Sequence, residues 1–161
     1  MCIRDRCFRR STTKEVGTID PELARAVIVQ HHRTARHRGD CESATAQGTA
    51  NNPLCGDQVL ISLKVVDGVI GCARFVGQGC ALSQAGASLV MAAIEGRPTG
   101  EAKAGLAGFL QAMAGGDVVE YGDLAALCVV RDNAARATCA TLAAVEASRL
   151  LADEPDPAKG A

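Results

Sequence analysis

QVLISLKVVDGVIGCARFVG, residues 58–77, decides the fold. Two runs rich in β-branched residues flank Asp67-Gly68, and Asp-Gly in that position is a strong short-range hairpin signal. The first run alternates, with Val59, Ile61, Leu63 and Val65 on one face and Leu60, Ser62, Lys64 and Val66 on the other. Upstream, Asp20-Pro21-Glu22 supplies an N-cap, a proline at the first helical position and an acidic first turn ahead of LARAVIVQHH. Leu23, Val27 and the Ala24/Ile28 row form its apolar face, and the helix is expected to end near RTARHRG, with Gly39 as terminator. SATAQGTA, residues 43–50, is weakly strand-like.

Downstream of the hairpin, ALSQAGASLVMAAIEG reads as a helix closed by Gly96, with Pro98 just beyond. GEAKAGLAGFLQAMAGG gives another, with Leu106, Leu110 and Met113 on one row. Residues 121–128 suggest a short helical segment, and NAARATCATLAAVEASRLLADE a long final helix. A helix, a short antiparallel sheet and then several helices argue for an α+β fold. The chain divides into a tail over 1–19, one compact domain over 20–150 and a frayed end over 151–161. The tail has no apolar period, and its opening MCIRDR resembles translated adapter sequence, so it is expected to be disordered or non-native.

Composition narrows the functional classes. Of the 161 residues 48% are hydrophobic but only 2% aromatic, so the core is aliphatic and base-stacking platforms for nucleic acid are nearly excluded. The tail holds Arg4, Arg6, Arg9, Arg10 and Lys14 against Asp5 and Glu15, which leaves the folded part acidic and unsuited to phosphate backbones. No run is apolar enough to span a membrane, and no secretory signal opens the chain, so a cytoplasmic protein without nucleic-acid or membrane partners is expected.

Eight cysteines then need a purpose. In a cytosolic chain metal or redox chemistry is the leading expectation, and a disulfide framework the minor one. Cys2 and Cys7 are discounted with the tail. Cys72 and Cys128 read as small buried hydrophobes, and Cys41 lies in a polar loop without an evident partner. NNPLCGD, residues 51–57, is different: Pro53 and Gly56 permit a sharp bend that can turn Cys55 and Asp57 toward one point. A hairpin returns the chain, so Cys80, after Gly77-Gln78-Gly79, comes back toward Cys55. Cys80 also stands at an expected helix N-terminus, a place that favours the thiolate form that binds metal. Cys139, in the first turns of the last helix and one turn beyond Arg136, is the best fourth candidate. Three thiolates and a carboxylate suit a tetrahedral divalent site, zinc first, with iron compatible by ligand type. His31, His32 and His37 sit among Arg25, Arg33, Arg36 and Arg38 and read as a solvated basic face.

Three stretches carry a resemblance. NNPLCGDQV, RFVGQGCALSQAGASLVMAAIEG and ARATCATLAAVEA resemble, in order, the NPxCGD, FxGxGCxISxASxS and RxKCAxL patterns of the SufU-type branch of the IscU/NifU-like iron–sulfur assembly family. The likeness covers roughly residues 20–150, and HHRTARHRG is similar to a further family segment, with Thr34-Ala35 in place of Asn-Pro. Thr138 stands where IscU-type chains have His, and the stretch between Cys80 and Cys139 looks longer than theirs by roughly a helix. Departures from the branch are Cys128 for Gly, Thr138 for Lys and Gly86 for Ser.

The resemblance implies a three-stranded antiparallel sheet packed with helices, and Cys55, Asp57, Cys80 and Cys139 as metal ligands. It implies a zinc-dependent acceptor of persulfide sulfur from a pyridoxal-phosphate cysteine desulfurase of the SufS type, working with downstream cluster assembly proteins. The alternative is a scaffold on which an iron–sulfur cluster is built. Cys55, on a Pro/Gly loop that moves more cheaply than a helix, is the expected sulfur acceptor, with Cys139 second. Arg136 is expected to steady the anionic site.

Overall fold

The structure is a computed structural model that describes residues 20–117 and 122–155; the expectations for the tail over 1–19 and for the last six residues lie outside them. Asp20 caps α1 (Pro21–Arg33) by accepting the Glu22 N–H at 3.0 Å. Three strands follow, β1 (Ala46–Asn52), β2 (Asp57–Val66) and β3 (Val69–Gln78), then α2 (Ala81–Ile94), α3 (Thr99–Met113), a 3₁₀ segment (Gly122–Val130) and α4 (Ala134–Ala152). The sheet is antiparallel in the order β1-β2-β3, the expected α+β arrangement.

Asp67 and Gly68 both take positive φ (51° and 75°), the type I′ turn that matches strand twist. Alternation then sorts the residues. Val59, Ile61 and Leu63 of β2 and Ala73 and Phe75 of β3 lose all solvent exposure beneath α2 and α4. The opposite face pairs Ser62 with Arg74 and Lys64 with Cys72.

Residues 37–39 run along the free edge of β3. The Phe75 N–H donates to the His37 carbonyl (2.9 Å), the Gly39 N–H to the Phe75 carbonyl (2.8 Å), and the Arg38 guanidinium lies 5.7 Å from the Phe75 ring centre. Glu95 anchors this strap: it accepts the Ala73 N–H at 2.9 Å, pairs with Arg74 and stands 3.4 Å from His37 Nε2. The strap thus occupies the β3 edge at Phe75, leaving fewer backbone groups there to pair with a foreign strand.

Several expectations need correction. Cys41 and Cys72 form a disulfide, with Cα atoms 6.0 Å apart. The polar loop before β1 lies across the outer sheet face, where the Cys41 N–H donates to Ser62 Oγ (3.0 Å) and brings the sulfur to Cys72. Cys128 is buried as a free thiol, as expected. α1 ends at Arg33, with Thr34 as its C-cap, before Gly39 is reached; Leu23 is exposed, so Ala24 and Ile28 are the buried row. The histidines are not uniformly solvated either. His31 Nδ1 lies 2.8 Å from Ser88 Oγ, and burial lowers its pKa; His37 faces Glu95.

α2 and α4 touch at Gly86, where a Cβ would lie 2.6 Å from the Ala140 carbonyl oxygen. The departure from the family pattern at Gly86 therefore allows the helices carrying Cys80 and Cys139 to approach closely. No helix among the described residues is long and apolar enough to cross a membrane.

Candidate metal centre

Three stretches of chain supply the centre. Residues 53–56 join β1 to β2, so NNPLCGD closes a second hairpin. Asn52 builds its turn: its carbonyl accepts the Gly56 N–H (2.8 Å) and its Oδ1 accepts the Leu54 N–H (3.1 Å). Gly56 provides the positive φ of 73°. Cys55 is thereby held out on an exposed loop, while Asp57, the first residue of β2, is only 3% exposed.

Cys80 arrives from β3, whose last residue, Gln78, pairs with Gln58. It is the N-cap position of α2, and Asp57 Oδ1 accepts its backbone N–H at 3.0 Å. Its thiol donates to Asp57 Oδ2 at 3.2 Å. Asp57 thus satisfies the free backbone N–H at the head of α2. Cys139 projects from the second turn of α4, a helix begun by Asn133, whose Oδ1 accepts the Arg136 N–H. It is 8% exposed, and its sulfur lies 3.5 Å from Cys55 Sγ.

The donor atoms of Cys55, Asp57 and Cys139 all lie within 4.8 Å of one another. Cys80 is joined to them through the Asp57 carboxylate. Burial acts to raise the pKa of Asp57, but hydrogen bonds from the Cys80, Cys55 and Cys139 thiols and the Cys80 N–H outweigh it, so the carboxyl is held low. Burial, with hydrogen bonding to Asp57 and the other thiols, pushes the Cys139 thiol up. Thiols and a carboxylate converging from three parts of the chain form a donor set that fits a borderline-soft divalent cation such as zinc.

Arg136 is exposed and lines, with Arg25, Cys80 and Cys139, a hollow of about 550 Å³ whose apolar wall includes Ile28 and Val130. Its guanidinium forms no hydrogen bond with the four candidate ligands among the described contacts. Asn52 is the residue that sequence reasoning passed over. It is 4% exposed, and its Nδ2 donates to Cys139 Sγ at 3.5 Å. The available signal was Asn before Pro at the head of a turn, a residue whose side chain closes such loops.

A three-stranded antiparallel sheet carrying a cysteine-and-aspartate cluster at one end, under two helices, defines a class. The chain belongs to the family of the NifU-like N terminal domain, which matches residues 23–124. It is 34% identical over 123 residues to the zinc-dependent sulfurtransferase SufU of Bacillus subtilis, covering 74% of this chain and 83% of that protein. It is 32% identical over 125 residues to the iron-sulfur cluster assembly scaffold protein IscU of Streptococcus pyogenes, covering 75% and 77%. Its fold superposes on the crystal structure of a putative SUF-system scaffold protein from Fervidobacterium islandicum with a TM-score of 0.72, at 24% identity, over 78% of this chain and 93% of that one.

Proposed function

We propose that this protein accepts persulfide sulfur from a pyridoxal-phosphate cysteine desulfurase of the SufS type and passes it on for iron–sulfur cluster assembly. The observation that carries the reading is the contrast at the centre. Cys55 is exposed on a four-residue turn, while Asp57 and Cys139, its neighbours in the cluster, are buried. The kinship with the SufU and IscU proteins supports the same setting.

Cys55, Asp57, Cys80 and Cys139 would hold the metal. Bound zinc keeps its thiol ligands deprotonated at neutral pH. The chain's own residues do the rest. The Cys55 thiolate attacks the outer sulfur of the donor persulfide, and the donor's S–S bond breaks. The donor cysteine leaves as thiolate, and the outer sulfur remains on Cys55 with its proton in a new S–S bond. No oxidant or reductant is consumed. Asp57 and Cys139 stay fixed by β2 and α4, and Arg136 at the rim favours the donor thiolate as it leaves.

Elemental analysis of anaerobically purified protein, with cysteine turnover by a SufS-type desulfurase measured with and without it, tests the reading. About one zinc per chain and faster turnover that Cys55→Ala abolishes are expected. Iron and acid-labile sulfide without stimulation would establish the scaffold reading instead.

A further inference from the structure

Two sulfurs 3.5 Å apart, Cys55 and Cys139, compete for the same role in sulfur acceptance. We infer that Asn52 decides between them, as a positioning residue that anchors Cys139 and leaves Cys55 free to take the sulfur. The inference rests on the acceptor reading above and adds the device that enforces it.

The orientation of the Asn52 amide is fixed by its partners. The Leu54 N–H is a donor, so the atom facing it must be Oδ1, and Nδ2 is then the atom turned to Cys139. One buried side chain therefore makes two unlike contacts. Through Oδ1 it closes the turn that displays Cys55. Through Nδ2 it donates to the sulfur of Cys139, at 3.5 Å. Cys55 Sγ has the Cys139 sulfur and the Asp57 carboxylate as its neighbours and, among the described residues, no N–H donor.

A sulfur that accepts an N–H bond from a rigid amide has part of its lone-pair density engaged and its rotamer fixed. It must give up that bond to attack. Cys139 is restrained further by helix backbone and burial, whereas Cys55 moves with a short exposed turn. To the difference between a buried helical thiol and an exposed turn thiol, residue 52 adds a hydrogen bond that only Cys139 receives.

Asn52→Asp separates the two contacts. The carboxylate is nearly isosteric and still accepts the Leu54 N–H, but it donates nothing to Cys139. Asn52→Ser is the second variant, in case the first fails to fold: its hydroxyl can close the turn but is too short to reach the sulfur. Two readouts apply. One is the thiolate-to-metal charge-transfer absorbance of the Co²⁺-loaded protein, which reports the sulfur environment irrespective of activity. The other is the position of the persulfide, mapped by peptide mass spectrometry after reaction with glutathione persulfide.

In the wild type the sulfur is expected on Cys55. In the variants the Cys55-to-Cys139 ratio is expected to fall about fivefold, the weight of one hydrogen bond, and the charge-transfer band to shift. Sulfur on Cys55 in every protein, with an unchanged band, overturns the role of Asn52 and leaves the proposed function standing. Wild-type sulfur found on a residue other than Cys55 overturns the acceptor assignment itself.

Discussion

Two pairs of cysteines approach each other in this fold, and they meet opposite fates. Cys41 and Cys72 are joined on the outer face of the sheet, well away from the candidate centre. Cys55 and Cys139 stand 3.5 Å apart and remain thiols. Proximity does not separate the cases; surroundings do. The Cys41 sulfur has a backbone carbonyl, that of Ser62, for company at 3.3 Å. The open pair is surrounded by the Asp57 carboxylate, the Asn52 amide and a third thiol, groups that suit a cation or a reacting sulfur. The closed pair ties a loop to the sheet, and the open pair is arranged for chemistry.

Breaking each pair in turn gives the largest contrast. Cys72→Ala opens a link between residues 31 apart in sequence and is expected to lower unfolding free energy by about 3–4 kcal/mol. Zinc stoichiometry should stay at the wild-type value. Cys139→Ala should do the reverse, losing zinc while costing far less in the metal-free protein. Urea unfolding after chelation, set beside elemental analysis, reads both effects. If Cys72→Ala sheds zinc, the two regions are coupled and the division above fails.

A second substitution tests whether the open pair depends on helix packing. Cys139 rides on α4, which meets α2 at Gly86. Gly86→Ser places a Cβ where the Ala140 carbonyl oxygen would be 2.6 Å away, so the helices must separate. A loss of about 2 kcal/mol is expected from the overpacking, together with weaker zinc binding in a chelator competition. Unchanged zinc affinity would mean that the turn carrying Cys55 absorbs the displacement.

How far these features were legible in the chain follows from the range over which each is encoded. Asp67-Gly68 and the alternation through Val59, Ile61 and Leu63 encode the β2–β3 hairpin locally, and the hairpin places Cys80 beside Asp57 without further information. β1 was only faintly visible, because AQGTANN has few strand-forming side chains and is held by its ladder with β2. The Cys41–Cys72 link was unreadable for a related reason. A polar loop gives no sign of which face it will cross, and Cys41 becomes buried only when Ser62 accepts its N–H. His37 looked solvated among arginines because Glu95, its partner, is distant in sequence. Asn52 carries no local sign of its second contact, because Cys139 lies 87 residues away in sequence.

The smallest effect concerns the other end of the strap that carries Cys41. Residues 37–39 are bound to the edge of β3, and the disulfide fastens the chain shortly afterwards. Glu95 holds this edge through Ala73, Arg74 and His37. Burial acts to raise its pKa, but the Ala73 N–H, the Arg74 hydrogen bond and charge and the His37 charge prevail, so it lies below the ordinary 4.5. A carboxyl with a lowered folded-state pKa binds fewer protons than in the unfolded chain. Its stabilisation is present above pH 4.5 and is lost as pH falls through the folded value. Glu95→Gln should therefore flatten the decline in stability below that pH, leaving the share that arises at Asp57, whose carboxyl is also held low. Chemical denaturation of both proteins at a series of pH values measures the difference. With the disulfide reduced the strap has lost its second fastening, and the effect of Glu95→Gln on backbone exchange at Gly39 and Phe75 should grow. An equal effect in oxidised and reduced protein would show that the disulfide and the Glu95 cluster hold separate parts of the loop.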